Sequence, residues 1–243
     1  IPSWLAKKYP DILAVTHNGK ELYGHRQNMD ITNPDYLRHA QIIIEKLMEQ
    51  VKDYDCVIGF QLDNETKSYD TCSKYAQAKF VEYLKNEFPD IDEFNKEFGL
   101  DYWSNRVNDW DDFPDVRGTI NQSLAAEFCK FQRSLVTKFL SWQADIVREY
   151  KRDDQFITQN FDFDWTTHSI GYQSQVDQYD ASRCMTVAGA DIYHPSNEEL
   201  TGAEITVCGN ISRSLKKDNY LILETEAQGL TPWLPYPGQL RLQ

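Results

Sequence analysis

The sequence predicts an α/β fold in which parallel strands are joined by helical crossovers. Three observations carry this reading. Short β-prone runs alternate with amphipathic helical patterns, each β-prone run ends in polar residues, and from Val57 onward the order is strand, helices, strand, linker or short helix, strand, helix, strand. An open α/β sheet and part of a (β/α) barrel both satisfy that order. No G-x-G-x-x-G or phosphate-binding loop follows any of the strands, which argues against the nucleotide-binding version.

Each element has its own justification. Asn33-Pro34 opens a helix, because Asn caps free N–H groups and proline's fixed φ suits the first turn. Ile42, Ile43, Ile44, Leu47, Met48 and Val51 then form a helical apolar face. Val57-Ile58-Gly59-Phe60-Gln61-Leu62 reads as a buried strand with the polar tip Asp63-Asn64-Glu65. Its parity sends Ile58, Phe60 and Leu62 toward helices and Val57, Gly59 and Gln61 toward a crowded interior. Tyr75, Ala76, Phe80, Val81, Leu84 and Phe88 keep helical spacing until Pro89 halts the run. Residues 91–98 form a short helix closed at Gly99, followed by a loop that carries Trp103, Trp110 and Phe113. Leu124, Phe128, Phe131, Leu135, Phe139, Trp142 and Ile146 step by three and four along one long amphipathic helix. Strands follow at residues 156–160, in part of 185–193 and at 220–224, with a helix at 204–216 before the last.

Bulk composition narrows the partners. A chain of 243 residues, 41% hydrophobic, can bury a sizeable core as one large domain, with two small domains as the alternative. Its net charge of -13, with no Lys/Arg stripe, repels nucleic acid and anionic membrane surfaces. No apolar run approaches the roughly 20 residues of a membrane span. The five cysteines are scattered, odd in number and without a C-x-x-C pair, which argues against a zinc ribbon and a disulfide framework. An aromatic content of 13% suits both sugar faces and ordinary cores.

The polar strand ends are where parallel α/β architectures place function: Asp63-Asn64-Glu65, Asn160 with Asp162 and Asp164, Asp191 with Tyr193 and His194, and Glu224 with Glu226. Glycoside cleavage needs two carboxyl groups, one to protonate a poor leaving group and one to meet an oxocarbenium-like centre. Glu65 and Glu224 fit that demand if the fold brings them together. An Asn-Glu pair after a strand is more often a cap or loop, Glu224 and Glu226 also read as solvated charges, and Trp233 with Tyr236 as cover for a core edge. His25, His168 and His194 lack metal-ligand spacing.

Several segments resemble glycoside hydrolase family 42, the β-galactosidases of the retaining (β/α)8-barrel clan. Pro2-Ser3-Trp4-Leu5 resembles the family's Pro-x-Trp-Leu segment, and Gly24-His25-Arg26 its Gly-x-Arg. Ile58-Gly59-Phe60-Gln61-Leu62-Asp63-Asn64-Glu65 is similar to its Ile-Gly-Trp-Gln-x-Asp-Asn-Glu and is the most specific match. Phe94-Asn95-Lys96-Glu97-Phe98-Gly99 with Tyr102-Trp103-Ser104, and Leu223-Glu224 with Trp233, resemble further family stretches.

The resemblance implies Glu65 as acid/base, Glu224 as nucleophile with Glu226 as rival, and Asn64 on the sugar 2-hydroxyl. Arg26, Tyr193 and Trp233 would shape a galactose pocket. It implies a retaining enzyme for terminal β-D-galactosyl residues, with no cofactor. Other glycosides (β-glucoside, β-mannoside, α-L-arabinoside) and a non-catalytic carbohydrate-binding fragment are the alternatives. It also implies a cytoplasmic homo-oligomer. Many members carry a zinc-binding cysteine cluster after the acid/base; residues 66–80 here keep only Cys72, so no such metal is expected. Residues 1–243 read as one catalytic segment holding barrel strands four to seven. The natural enzyme is expected to be longer, and the segment alone weak or inactive.

Overall fold

Oδ1 of Asn33 accepts hydrogen bonds from the N–H groups of Asp35 (2.9 Å) and Tyr36 (3.0 Å), so the helix opens at Pro34 as its sequence predicts. The computed structural model describes residues 1–20, 23, 28–118, 120–164, 171–193 and 201–225. Its elements, in chain order, are helix α1 (Ser3–Lys8), strands β1 (Val15–Thr16) and β2 (Gly19–Lys20), helix α2 (Pro34–Val51), strand β3 (Gly59–Asn64), helices α3 (Lys74–Glu87), α4 (Ile91–Glu97) and α5 (Gln122–Tyr150), strand β4 (Phe156–Asp164), helix α6 (Gln178–Ala181), strand β5 (Ala188–Tyr193), helix α7 (Ala203–Lys216) and strand β6 (Tyr220–Thr225). They fall into two compact units, residues 1–40 with 67–136 and residues 41–66 with 137–243.

The first unit holds the β1–β2 antiparallel pair and an aromatic core. The ring of Phe80 lies 5.0 Å from Phe128 and 5.1 Å from Phe131, while Phe94 lies 5.1 Å from Phe98 and 5.0 Å from Trp110. Ser73 caps α3 by accepting from the Ala76 N–H, and Gly99 closes the α4 turn at φ +62°. Of the loop aromatics, Trp110 and Phe113 join this core, whereas Trp103 stacks on Tyr102 and is 82% exposed.

The second unit holds the parallel sheet, in the order β3-β4-β5-β6. Each new strand adds to the same edge without reversal. That is the strand succession of a (β/α) barrel, whereas a doubly wound sheet reverses its order at a switch point. The sequence had left both architectures open, and the topology selects the partial barrel. Arg152 and Gln155, between α5 and β4, donate to the Val57 carbonyl at 3.1 and 2.8 Å and so pin the start of β3 to its neighbour.

The inner strands are the drier ones. β5 is buried from Ala188 through Ile192, while β3 and β6 hold only half-buried and exposed positions. Two expectations shift here. Ile58, assigned to a helix-facing row, lies just ahead of β3 on an outer strand and is 68% exposed. In α2 only Met48 is buried; Ile42, Ile43 and Leu47 are exposed among the described residues.

Gly189 shows how tightly the inner strands approach. A Cβ there would sit 2.6 Å from the Gln159 carbonyl oxygen, 2.6 Å from Leu223 Cδ1 and 2.7 Å from Thr158 Oγ1. Because one obstacle is backbone, relief requires the sheet itself to move. Gly189→Ala is therefore expected to destabilise the fold by about 1–3 kcal/mol, read as a lowered denaturant midpoint with an unchanged slope.

Candidate active site

The outer strands of the sheet each deliver one glutamate. On β3 the chain advances three residues from Gln61 to Asn64, while β4 advances only two from Thr158 to Asn160. On β6 it advances two from Ile222 to Glu224 while β5 advances one from Ala190 to Asp191. One surplus residue thus precedes each acid, the irregularity that re-aims side chains beside active sites. Glu65 follows at φ +44°, a left-handed conformation that costs a non-glycine residue on the order of 1–3 kcal/mol.

These shifts bring three carboxyl groups together. Single oxygens of Glu65, Asp191 and Glu224 all lie within 4.8 Å of one another. Asp191 is fully buried, and the two glutamates are half-buried. The Tyr193 hydroxyl donates to Glu224 Oε2 at 2.5 Å. Asn160, also fully buried, donates through Nδ2 to Asp191 Oδ2 (2.6 Å), Asn64 Oδ1 (3.1 Å) and Glu224 Oε1 (3.2 Å). Its Oδ1 accepts from the Glu65 N–H at 3.0 Å.

Burial dominates the electrostatics. It pushes the Asp191 carboxyl up to about 8, reinforced by the charge of Glu224 and, less strongly, of Glu65 and Asp162, against the opposing pull of the Asn160 hydrogen bond. Asp191 is therefore neutral at neutral pH, so the trio carries fewer charges than its composition suggests. The Tyr193 hydroxyl is raised well above the ordinary phenol range by burial and by its bond to Glu224, so it stays a donor. Asp63 is raised by burial as well, although the Thr66 hydroxyl donates to it at 2.7 Å.

With the third acid neutral, the two glutamates remain as a pair at close range, one fed by a tyrosine hydroxyl. Such a pair can exchange a proton with one face of a bond and present a nucleophile to the other. Tyr193→Phe removes the donor to Glu224 and nothing else that the hydroxyl touches among the described residues. A loss of about tenfold in kcat, with KM little changed, is the expected result in steady-state kinetics.

Of the sequence-predicted site residues, Glu65, Asn64, Tyr193 and Glu224 are brought together here. Arg26 and Trp233 lie outside the described residues, as do Glu226, His25, His168 and His194. Sequence reasoning noted Asn160 and Asp191 only as polar strand ends and gave them no role. For Asp191 a signal was present, since it interrupts the small apolar run Ala188-Gly189-Ala190 before Ile192, where a carboxyl must have a partner; Asn160 stands among Thr158, Gln159 and Asp162 and carries no such mark. Cys72 donates its thiol to the Val15 carbonyl at 3.0 Å, and burial raises it to about 11.

Comparison with known proteins covers the whole chain. The model of glycoside hydrolase family 42, described as β-galactosidase, matches residues 1–242. The β-galactosidase BgaA of Clostridium cellulovorans is 27% identical over 252 residues, which cover 99% of this chain and 37% of that protein. The β-galactosidase LacZ of Heyndrickxia coagulans is 27% identical over 256 residues, with 99% and 36% covered. Among solved structures, Gan42B, a GH42 β-galactosidase from G. stearothermophilus, superposes with a TM-score of 0.87 at 25% identity, covering 100% of this chain and 37% of that one. The chain spans little more than a third of the length of the curated relatives it matches.

Proposed function

This chain belongs to glycoside hydrolase family 42, the β-galactosidases, and from that premise we propose that it is the catalytic segment of a retaining enzyme that releases terminal β-D-galactosyl residues. Residues 1–243 supply part of a (β/α)8 barrel, and both compact units are read as belonging to this one catalytic segment. Glu65 protonates the glycosidic oxygen, Glu224 attacks the anomeric carbon, and Glu65 then takes a proton from the water that hydrolyses the galactosyl-enzyme.

The observation that carries the reading is the carboxylate spacing. One oxygen of Glu65 and one of Glu224 lie within 4.8 Å of each other, which is nearer the roughly 5–5.5 Å of retaining enzymes than the about 6.5–9.5 Å of inverting pairs, which must accommodate a water. Asn64 offers its amide to the sugar 2-hydroxyl as a donor, since its Oδ1 is engaged by Asn160. Arg26 and Trp233 complete the galactose pocket in this proposal, as the family likeness suggests. The substrate is a small galactoside and neither nucleic acid nor a membrane is a partner; no helix among the described residues is long and apolar enough to cross a membrane. A cytoplasmic homo-oligomer is the state proposed for the parent enzyme.

The deciding experiment follows the first-formed product by NMR as the parent enzyme hydrolyses an aryl β-galactoside. Appearance of the β-anomer before mutarotation supports double displacement, and the α-anomer first would overturn it. Running the same enzyme on aryl β-glucoside, β-mannoside and α-L-arabinoside tests the sugar.

A further inference from the structure

We infer that Asn160 is a positioning residue for both carboxylates at once, holding the backbone of Glu65 through its carbonyl and the carboxylate of Glu224 through its amide. The inference rests on the reading of Glu65 and Glu224 as the working pair and assigns a role to a residue outside that pair.

Asn160 is 0% exposed, so it cannot meet a substrate; every polar atom must be satisfied by protein. Its Oδ1 accepts from the Glu65 N–H (3.0 Å), Gln61 Nε2 (3.1 Å) and Gln159 Nε2 (3.2 Å). Its Nδ2 donates toward Asp191 Oδ2 (2.6 Å), Asn64 Oδ1 (3.1 Å) and Glu224 Oε1 (3.2 Å). The orientation of the amide follows from these partners. A backbone N–H can only donate and an ionised carboxylate can only accept, so the flipped amide would face donor with donor and acceptor with acceptor.

Both ends of this side chain meet strain or charge. Glu65 sits at φ +44°, and the bond to its N–H is what the neighbouring strand contributes to holding it there. At the other end, two amide protons serve three acceptors, so their distribution depends on which acceptors are ionised. The groups facing Asp191 are Glu224 from β6, Glu65 from the end of β3, Asp162 from β4 and Tyr193 on its own strand. While Asp191 keeps its proton it is the weaker acceptor, and the amide is shared between Asp191 Oδ2 (2.6 Å) and Glu224 Oε1 (3.2 Å). Once Asp191 ionises, its oxygen at 2.6 Å draws the amide away and sets a second negative charge beside the nucleophile.

The test uses the parent enzyme with Asn160→Ala, Asn160→Asp and Asp191→Asn, assayed across pH on aryl β-galactosides with good and poor leaving groups. Asn160→Ala is expected to lower kcat by about 100-fold for both leaving groups, with KM within a few-fold, because formation of the intermediate needs the held Glu224 whatever the leaving group and its breakdown needs the held Glu65. Asn160→Asp keeps the carbonyl that Glu65 needs and replaces the amide donor with an ionisable oxygen. Its activity is expected only where the introduced carboxyl is protonated, and because burial beside Asp191 and Glu224 raises that carboxyl, it is the alkaline limb of the profile that is expected to move to lower pH. Asp191→Asn removes the competing charge and is expected to extend activity above pH 8.

A folded Asn160→Asp enzyme with the parent's pH profile would overturn the inference, whether or not its rate had fallen, because a merely structural role moves stability and not the profile. If Asn160→Ala does not fold, the near-isosteric Asp variant and Asp191→Asn decide. Glu65→Ala and Glu224→Gly are run alongside. Should those two keep parental rates, the assignment of the pair is wrong; should they fail while the Asn160 variants match the parent, only the present inference falls.

Discussion

Glu224→Gly is expected to lower kcat on an aryl β-galactoside by on the order of 10,000-fold, with the protein still folded, and added azide is expected to restore turnover. The glycine leaves a gap where the carboxylate stood, on an outer strand whose side chain is only half-buried, so a small anion can enter. Azide then attacks the anomeric carbon from the face Glu224 vacated, the aryl alcohol leaves with the proton of Glu65, and the product is the α-galactosyl azide. The stereochemistry makes the prediction specific. An α-azide identifies the missing group as the nucleophile, whereas parental rates in Glu224→Gly together with an inactive Glu226→Gly would transfer that role to Glu226.

Glu65→Ala is expected to act differently on the two chemical steps. General acid–base catalysis is worth about 100- to 10,000-fold, but only where the leaving group needs a proton. With a dinitrophenyl leaving group the first step is expected to run near the parental rate and the galactosyl-enzyme to accumulate, giving a burst followed by slow turnover. With a simple alkyl leaving group the first step itself collapses. Azide needs no base, so it is expected to accelerate release from the accumulated intermediate and to give the β-galactosyl azide. A uniform loss across leaving groups, without a burst, would remove Glu65 from the acid/base role.

Much of this was legible in the sequence because the signals were local. The three-and-four spacing from Leu124 to Ile146 marks α5 because a helix of that length repeats its period many times. Gly99 and Pro89 mark helix ends because glycine takes the left-handed φ of +62° without strain and proline has no N–H to continue the ladder. The β1–β2 hairpin went unread although Asn18-Gly19 is a turn signal, since strands of two residues show no alternation.

The site was legible in its acids and illegible in its wiring. Glu65 and Glu224 were recoverable through the family resemblance of the segments that carry them, because an acid after an apolar run by itself more often reads as a cap or a solvated charge. Asn160 was not, because its meaning comes from partners 31, 64 and about a hundred positions away: Asp191, Glu224, and the segment from Gln61 to Glu65. Asp191 likewise reads as an ordinary strand-end acid until burial is known, and burial is what keeps it neutral. Exposure of Ile43 and Leu47 could not be foreseen either, because spacing says which residues share a face and not what covers it.

The surplus residue ahead of each glutamate separates two demands on the same short stretches. Remove one amino acid between Gln61 and Asn64, or Leu223 alone, and the hydrogen-bonded ribbon could close up in perfect alternation while the acid behind it swings to the opposite side. A single-codon deletion at either spot is therefore expected to silence the protein by moving the acid, a loss separate from whatever the packing of Asp63 or Leu223 contributes to stability.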